Sequence, residues 1–275
     1  MYPDKILGLF HLYGLMIAVG ILACFGLLFW YGKKRKIEEK FLDFVFYNAI
    51  ISIILGFGSA ALFQATYNYI ATGEWDFGSG ITFIGGLIGG VATFLVVYFL
   101  FRKRYETRLL DILSFAPCCI LIAHAFGRIG CLFAGCCHGP KTDAWYGIYM
   151  HTSEFGYAKV VPTQLFEAIF LFALCAVCFF LLWKKKFRHN LSLYLIAYGI
   201  FRFCLEFLRA DDRGKLLGLL SPSQFWSVLM VLAGVVLIFA LRNPYKKRDA
   251  ELSAKCLEKN NNAEEKEIIT ENTEA

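Results

Sequence analysis

Apolar residues along this chain come in long unbroken runs rather than at a one-sided helical spacing, and short polar segments rich in Lys and Arg separate them. About 20 apolar residues in a helix cross the hydrocarbon core of a bilayer. Seven such spans are predicted: His11 to Tyr31, Phe44 to Tyr69, Ile81 to Phe101, Leu109 to Phe133, Pro162 to Trp183, Leu191 to Leu208 and Phe225 to Leu241. The segments after the first, third, fifth and seventh runs carry 5, 4, 4 and 4 basic residues, whereas the three intervening loops carry 0, 2 and 3. Positive charge collects on the cytoplasmic side, so the N-terminus is expected outside and the C-terminus inside. The pattern predicts an all-α integral membrane protein with a transmembrane domain over residues 1–245. A polar, Glu-rich and Asn-rich tail over 246–275 is predicted to be disordered and cytoplasmic.

Composition narrows the class without changing this picture. With 58% hydrophobic and 17% aromatic residues and six prolines in 275 positions, the chain is too apolar for a soluble domain and too long for a single anchor. A net charge of +6 is compatible with nucleic-acid binding, but the basic residues fall in the gaps between apolar runs rather than on one face, so no nucleic acid is expected as partner. Of the ten cysteines, Cys24, Cys118, Cys119, Cys175, Cys178 and Cys204 lie inside apolar runs, where cysteine behaves as a small hydrophobe. The first run is as long as a span and has no cleavage-type small-residue site after it, so a membrane helix rather than a removable leader is expected there.

Candidate chemistry centres on GRIGCLFAGCCHG, residues 127–139, at the outer end of the fourth span. An arginine at membrane depth is expensive and needs a partner. His124 and Arg128, four apart, share one helix face. On one reading His124 bonds a neighbouring helix and Arg128 snorkels to the interface. On the other, the flanking glycines admit a ligand whose phosphate the guanidinium fork grips. Arg202 and Glu206 form a second i, i+4 pair in an apolar run, either a neutralised structural pair or part of the same anion site. Gln164 and Glu167 open the fifth span, where Glu167 is a counter-ion to one of the arginines or only a favourable helix N-terminal acid. GGLIGG at 85–90 lets helix backbones approach closely or lets a ligand reach the backbone. Cys131, Cys136, Cys137 and His138 are metal-ligating types, but their spacing departs from paired C-x2-C sites and adjacent cysteines seldom share one ion, so no metal site is predicted. A disulfide or a thiolate activated by Arg128 stays open.

Several blocks, in order, resemble the prolipoprotein diacylglyceryl transferase family: HLYGLM (11–16), GSGITFIGGLIGG (78–90), GRIGCLFAGCCHG (127–139), PTQLFE (162–167) and AYGIFRFCLEFLR (197–209). The resemblance implies a seven-span enzyme of the bacterial plasma (inner) membrane that needs no cofactor. It attaches the diacylglyceryl group of phosphatidylglycerol to the lipobox cysteine of lipoprotein precursors. It further implies catalytic roles for Tyr13, Arg128 and Arg202, and substrate contacts from Arg128, Arg202, Gly139, Tyr198, Glu206, Gln164, Glu167, Gly85 and Gly86, so that phosphatidylglycerol, prolipoprotein signal peptides and membrane lipid are the expected partners. The chain departs from the pattern at Ile84, where the family has histidine, at Cys131 for asparagine, at Cys136 for glutamate, and around Phe57, where a second-span arginine is missing. His124, additional to the family motif, is the expected replacement for the lost base or orienting group. The competing expectation is a paralogue that binds an anionic phospholipid and uses its cysteines for redox or metal chemistry. A transporter has no inverted repeat or pair of broken helices to support it.

Overall fold

A computed structural model of the protein describes residues 11–78, 80, 82–152, 154–209 and 220–274, with side chains at 71, 83, 84, 256 and 258–274 left out. The segment before His11, the side chain of Ile84 and residues 210–219 of the last predicted outer loop therefore lie outside the described residues. The helices are α1 (Leu12–Lys34), α2 (Glu39–Thr72), α3 (Phe83–Phe101), α4 (Leu109–Leu113), α5 (Ala116–Ala134), α6 (Thr163–Lys185), α7 (Asn190–Leu205) and α8 (Pro222–Glu274). Single 3-10 turns follow α3 and α7, at Arg102–Arg104 and Glu206–Leu208. Seven helices among the described residues are long and apolar enough to cross a membrane. Large apolar side chains such as Leu22, Leu100 and Phe239 are about 70% exposed. That exposure suits a lipid surround, because lipid tails and not a protein core cover the outward face of a spanning helix. The protein is an all-α, multi-pass membrane protein.

The chain divides into two compact units, Phe25–Leu109 and Met1–Cys24 with Leu110–Ala275. In the first, α2 and α3 meet along a seam of small residues. A Cβ on Gly85 would lie 2.6 Å from Phe63, one on Gly89 2.3 Å from Ser59, and one on Gly56 3.1 Å from the Gly86 carbonyl. Ser59 Oγ donates to Gly85 O at 2.8 Å and Asn48 Nδ2 to Phe94 O at 3.0 Å. Of the two readings of GGLIGG, close helix packing is the one this seam uses.

The second unit pairs α5 with α6 and α7 with α8. The fourth span, predicted as one helix from Leu109, is broken between α4 and α5. Pro117 in the first turn of α5 has no N–H and cannot continue a helix from α4. The break frees the Ser114 carbonyl, which accepts from Asn190 Nδ2 at 3.0 Å, while the same amide reaches Cys178 O at 2.9 Å. Two further differences concern the polar segments. The loop between the fourth and fifth spans contains an antiparallel hairpin, β1 (Ile148–Thr152) and β2 (Gly156–Val160), running from the pair Ile148–Val160 to Thr152–Gly156. Met150 and Val160 are fully buried while Tyr149 and Tyr157 stack outside at 5.7 Å, a five-residue alternation too short to stand out in an aromatic-rich loop. The segment from 246, predicted disordered, continues α8 as helix to Glu274. Its first turns are tied down by Arg248, which grips Asp111 through Nε at 3.0 Å and Nη2 at 2.6 Å, and by an ion pair between Arg188 and Asp249.

Candidate functional site

Glu167 is the hub. It sits one turn into α6, 1% exposed, and three side chains from two other helices converge on one of its oxygens. Tyr198 of α7 donates its hydroxyl to Oε1 at 2.6 Å, Arg128 Nε of α5 lies 3.1 Å from it, and His124 Nε2 lies 3.8 Å away. The i, i+4 spacing of His124 and Arg128 stacks them on the α5 face that meets α6, and the His124 ring meets the edge of Tyr198 at 5.1 Å. A buried carboxylate is tolerated only when paired and hydrogen-bonded, and here both conditions are met. Glu167 is thus the counter-ion of Arg128, the first of the two roles open to it from sequence. The Arg128 contact is charge to charge, because Nε has no aligned hydrogen-bond acceptor among the described residues. Its side chain is 21% exposed, and its terminal nitrogens meet no acceptor among the described residues.

Arg202 lies one turn beyond Tyr198 on α7, and the charges of both arginines act on His124 and Tyr198. Its own fork is occupied. Nη1 pairs with Glu206 Oε2 at 2.8 Å and Nη2 donates to Ser223 Oγ at 3.0 Å. Ser221 Oγ donates to the other Glu206 oxygen at 2.8 Å, and Arg209 Nε stands 4.0 Å from Oε2. Ser221, Ser223 and Arg209 were not picked out from sequence. Their role depends on α8 folding back beside α7, for which no spacing rule gives a signal.

The cysteine-bearing turn follows α5. Gly135 caps the helix in the left-handed region (φ 70°), and a Cβ there would strike His151 O of β1 at 2.0 Å, so this glycine is required twice over. Cys137 is also left-handed (φ 63°), unusual for a residue with a side chain. Two fully buried side chains at the start of α6 hold the turn: Thr163 Oγ1 donates to Cys137 O and Gln164 Nε2 to Cys136 O, each at 2.6 Å. Gln164 is therefore committed to the turn. Gly139 is similarly confined, since its Cβ would meet Leu208 O at 2.3 Å and Val161 Cβ at 2.8 Å. The Sγ atoms of Cys131, Cys136 and Cys137 lie within 4.8 Å of one another, so these thiols converge despite the adjacency of two of them in sequence. The neighbouring thiols of Cys131 and Cys136, with the Arg209 guanidinium, hold the Cys137 thiol well below the ordinary thiol range. The same proximity pushes Cys136 up. His138 stays apart: its ring meets Phe155 at 5.4 Å and Nδ1 donates to Gly139 O at 2.8 Å.

Tyr13, at the start of α1, packs over Gly130, whose Cβ would lie 3.1 Å from the tyrosine ring. Its phenol lies within electrostatic reach of Arg128 and of the three cysteines. The structure thus brings His124, Arg128, Glu167 and Tyr198 together, with Tyr13, Arg202 and Glu206 around them, and uses Gln164 and Gly139 to build the adjoining turn. Gly85 and Gly86 belong to the α2–α3 seam.

Fold and site define a polytopic helical membrane protein that holds a partly open arginine at membrane depth against a buried acid. The sequence profile of prolipoprotein diacylglyceryl transferases matches residues 6–240. The phosphatidylglycerol–prolipoprotein diacylglyceryl transferase of Clostridium tetani (strain Massachusetts / E88) is 37% identical over 234 residues, covering 81% of this chain and 90% of its own. The transferase 2 of the same description from Clostridium perfringens (strain 13 / Type A) is 35% identical over 82% of this chain and 88% of its own, and that of Campylobacter curvus (strain 525.92) 32% identical over 86% and 92%. The chain belongs to the prolipoprotein diacylglyceryl transferase family.

Proposed function

We propose that this chain transfers the diacylglyceryl group of phosphatidylglycerol to the cysteine thiol of a prolipoprotein signal peptide, in the plasma membrane of a bacterium and from its outer leaflet. Besides family membership, the observation that carries the reading is the Arg128 guanidinium, fixed through Nε by Glu167 and partly open at its outer end. In the reaction the thiolate attacks the glyceryl carbon, an S–C bond forms, and the C–O bond to phosphate breaks with its electron pair going to oxygen. Glycerol phosphate leaves with one more negative charge than the lipid phosphate had. A preoriented cation where that charge develops lowers the barrier, and losing one such group costs about 10²–10³-fold in rate.

Arg128 is the group that meets the phosphate. Glu167 positions it, and His124 and Tyr198 position Glu167. His124 Nε2 faces this carboxylate, so His124 serves as an orienting group, the second of the two roles expected of it. Arg202, bound to Glu206 and Ser223, adds its field and ties α7 to α8. The excess of basic residues after the odd-numbered spans supports an outside N-terminus and an inside C-terminus, which puts the cysteine turn and the outer end of α5 at the outer leaflet.

The test is complementation. Expressed in bacterial cells depleted of their own diacylglyceryl transferase, the chain is expected to add the diacylglyceryl mass to a reporter lipoprotein, and Arg128→Ala to abolish it. An unmodified reporter alongside a well-expressed, membrane-inserted chain overturns the reading.

A further inference from the structure

The turn after α5 carries chemistry that the phosphate-handling residues do not use. Four sulfurs bound tetrahedrally to one ion at about 2.3 Å stand roughly 3.8 Å apart. The three thiols of Cys131, Cys136 and Cys137, within 4.8 Å of one another, need to close by about an ångström or less to share an ion of that kind. Adjacent cysteines in a helix or strand point apart. Here the left-handed backbone at Cys137 folds its side chain back toward Cys131 and Cys136. That conformation is held by buried side chains, Thr163 on the Cys137 carbonyl and Gln164 on the Cys136 carbonyl. Gly135 and Gly139, neither of which can accept a Cβ, seat the turn against β1 and the end of α7. The convergence is thus built by four positions outside the thiols themselves.

We propose that Cys131, Cys136 and Cys137 hold one zinc ion as thiolates and leave its fourth position to the thiol of the acceptor cysteine. The proposal rests on the transferase reading above and supplies the group that activates the acceptor, since His124 is turned to Glu167. Three thiolates suit a thiophilic, redox-inert ion, and three protein ligands with one open position are the pattern of a zinc that acts on substrate. A thiol that coordinates zinc gives up its proton. The steps balance: the acceptor thiol displaces water from zinc and releases its proton to solvent, the bound thiolate forms the S–C bond, and the C–O electron pair leaves on glycerol phosphate beside Arg128. The thioether product is neutral and a poor ligand, so water replaces it. A zinc with four thiolates carries two negative charges. Arg209 at Cys137 and Arg128, whose charge reaches Cys131 and Cys137, offset them.

The experiment uses the full chain purified in detergent under reducing conditions with zinc present. Elemental analysis is expected to give about one zinc per chain. Zinc X-ray absorption should fit three sulfurs at about 2.3 Å and one lighter atom. A synthetic lipobox peptide with its cysteine should convert this to four sulfurs, and the same peptide with serine should not. Cys131→Ser and Cys137→Ser should lose the zinc while Cys204→Ser keeps it. Because the serine variants can misfold, the native chain loaded with cobalt should also show a sulfur-to-cobalt charge-transfer band that shifts with the cysteine peptide. Below about a tenth of a zinc per chain with no such band, or four sulfurs before any peptide is added, the proposal is overturned. Zinc bound and peptide coordinated without lipidation leaves the site standing and overturns the transferase reading instead. Lipidation by a chain stripped of zinc with a chelator, at the rate of the loaded chain, overturns the activation step alone.

Discussion

Replacing Glu167 with Gln keeps the shape of the hub and removes its charge. In the native protein Oε1 faces Arg128 at 3.1 Å and accepts from Tyr198 at 2.6 Å, with the carboxylate 1% exposed. Two charges 3.1 Å apart attract by about 5 kcal/mol at an effective dielectric constant near 20, and burying the carboxylate offsets part of that. What the variant loses is governed by the arginine left behind, and breaking a buried pair from one side costs about 3–5 kcal/mol. Arg128 is partly exposed, which relieves some of that, so about 3 kcal/mol is expected. At a few degrees per kcal/mol for a chain of this size, the midpoint should fall by about 6–12 °C. The assay is thermal unfolding in lipid nanodiscs, followed by tryptophan fluorescence. Tyr198→Phe should cost about 1.5–3 kcal/mol in the native background, where its hydroxyl serves a charged acceptor, and about 0.5–1.5 kcal/mol beside Glu167→Gln. The two substitutions therefore couple by about 1 kcal/mol or more. A Glu167→Gln midpoint within 2 °C of native, or strictly additive losses, refutes the assignment of Glu167 as the charged hub.

Other substitutions test the frame around the hub. Gly139→Ala, with its Cβ 2.3 Å from Leu208 O, should destabilise by about 1–3 kcal/mol in the same unfolding assay and lower zinc content, and a neutral result contradicts the close approach. Ser59→Ala should cost only about 0.6 kcal/mol, typical of a hydrogen bond between membrane helices, whereas Gly85→Leu should separate α2 from α3, measurable by cysteine cross-linking across the seam. Truncation after Tyr245 removes Arg248 and Asp249 and should lower the unfolding midpoint, while truncation after Leu257 keeps both pairs and should leave it unchanged.

The sequence revealed the spans through hydropathy and the α5 pair through its i, i+4 spacing, because both depend only on local order. The partner of Arg128 stayed open between two readings since Glu167 lies 39 positions away on another helix, and only the packing of α5 on α6 decides it. Convergence of the cysteines was out of reach for a different reason. Spacing argued against it, and the fact that reverses the argument is one backbone angle at Cys137, set by hydrogen bonds from Thr163 and Gln164. Pro117 was a readable break in the fourth span, hidden by the apolar residues on both sides of it. The helical continuation past 246 draws on Arg248 meeting Asp111 across 137 positions, against a composition typical of disorder.

Arg128 and Arg202 read alike in sequence, an arginine at membrane depth with an acid or histidine one turn away, yet the structure makes them unequal. Arg202 spends both terminal nitrogens on Glu206 and Ser223, whereas Arg128 meets Glu167 at Nε and leaves its fork for a ligand. A lysine at either position keeps the charge and loses the planar fork. At Arg202 that removes one of the side chain's two contacts, with Glu206 or with Ser223, so Arg202→Lys should lower the unfolding midpoint by several degrees, about 1–2 kcal/mol, and reduce lipidation only in step with folded protein. At Arg128 the ammonium still neutralises Glu167, so Arg128→Lys should unfold within about 2 °C of native. If Arg128 grips the phosphate as proposed, the two-point contact is lost, and lipidation per folded molecule should drop about tenfold or more, with a raised KM for phosphatidylglycerol. The reverse ranking, with Arg202→Lys inactive though stable and Arg128→Lys active, would place the phosphate at Arg202 and require the Ser223 contact to open when lipid binds.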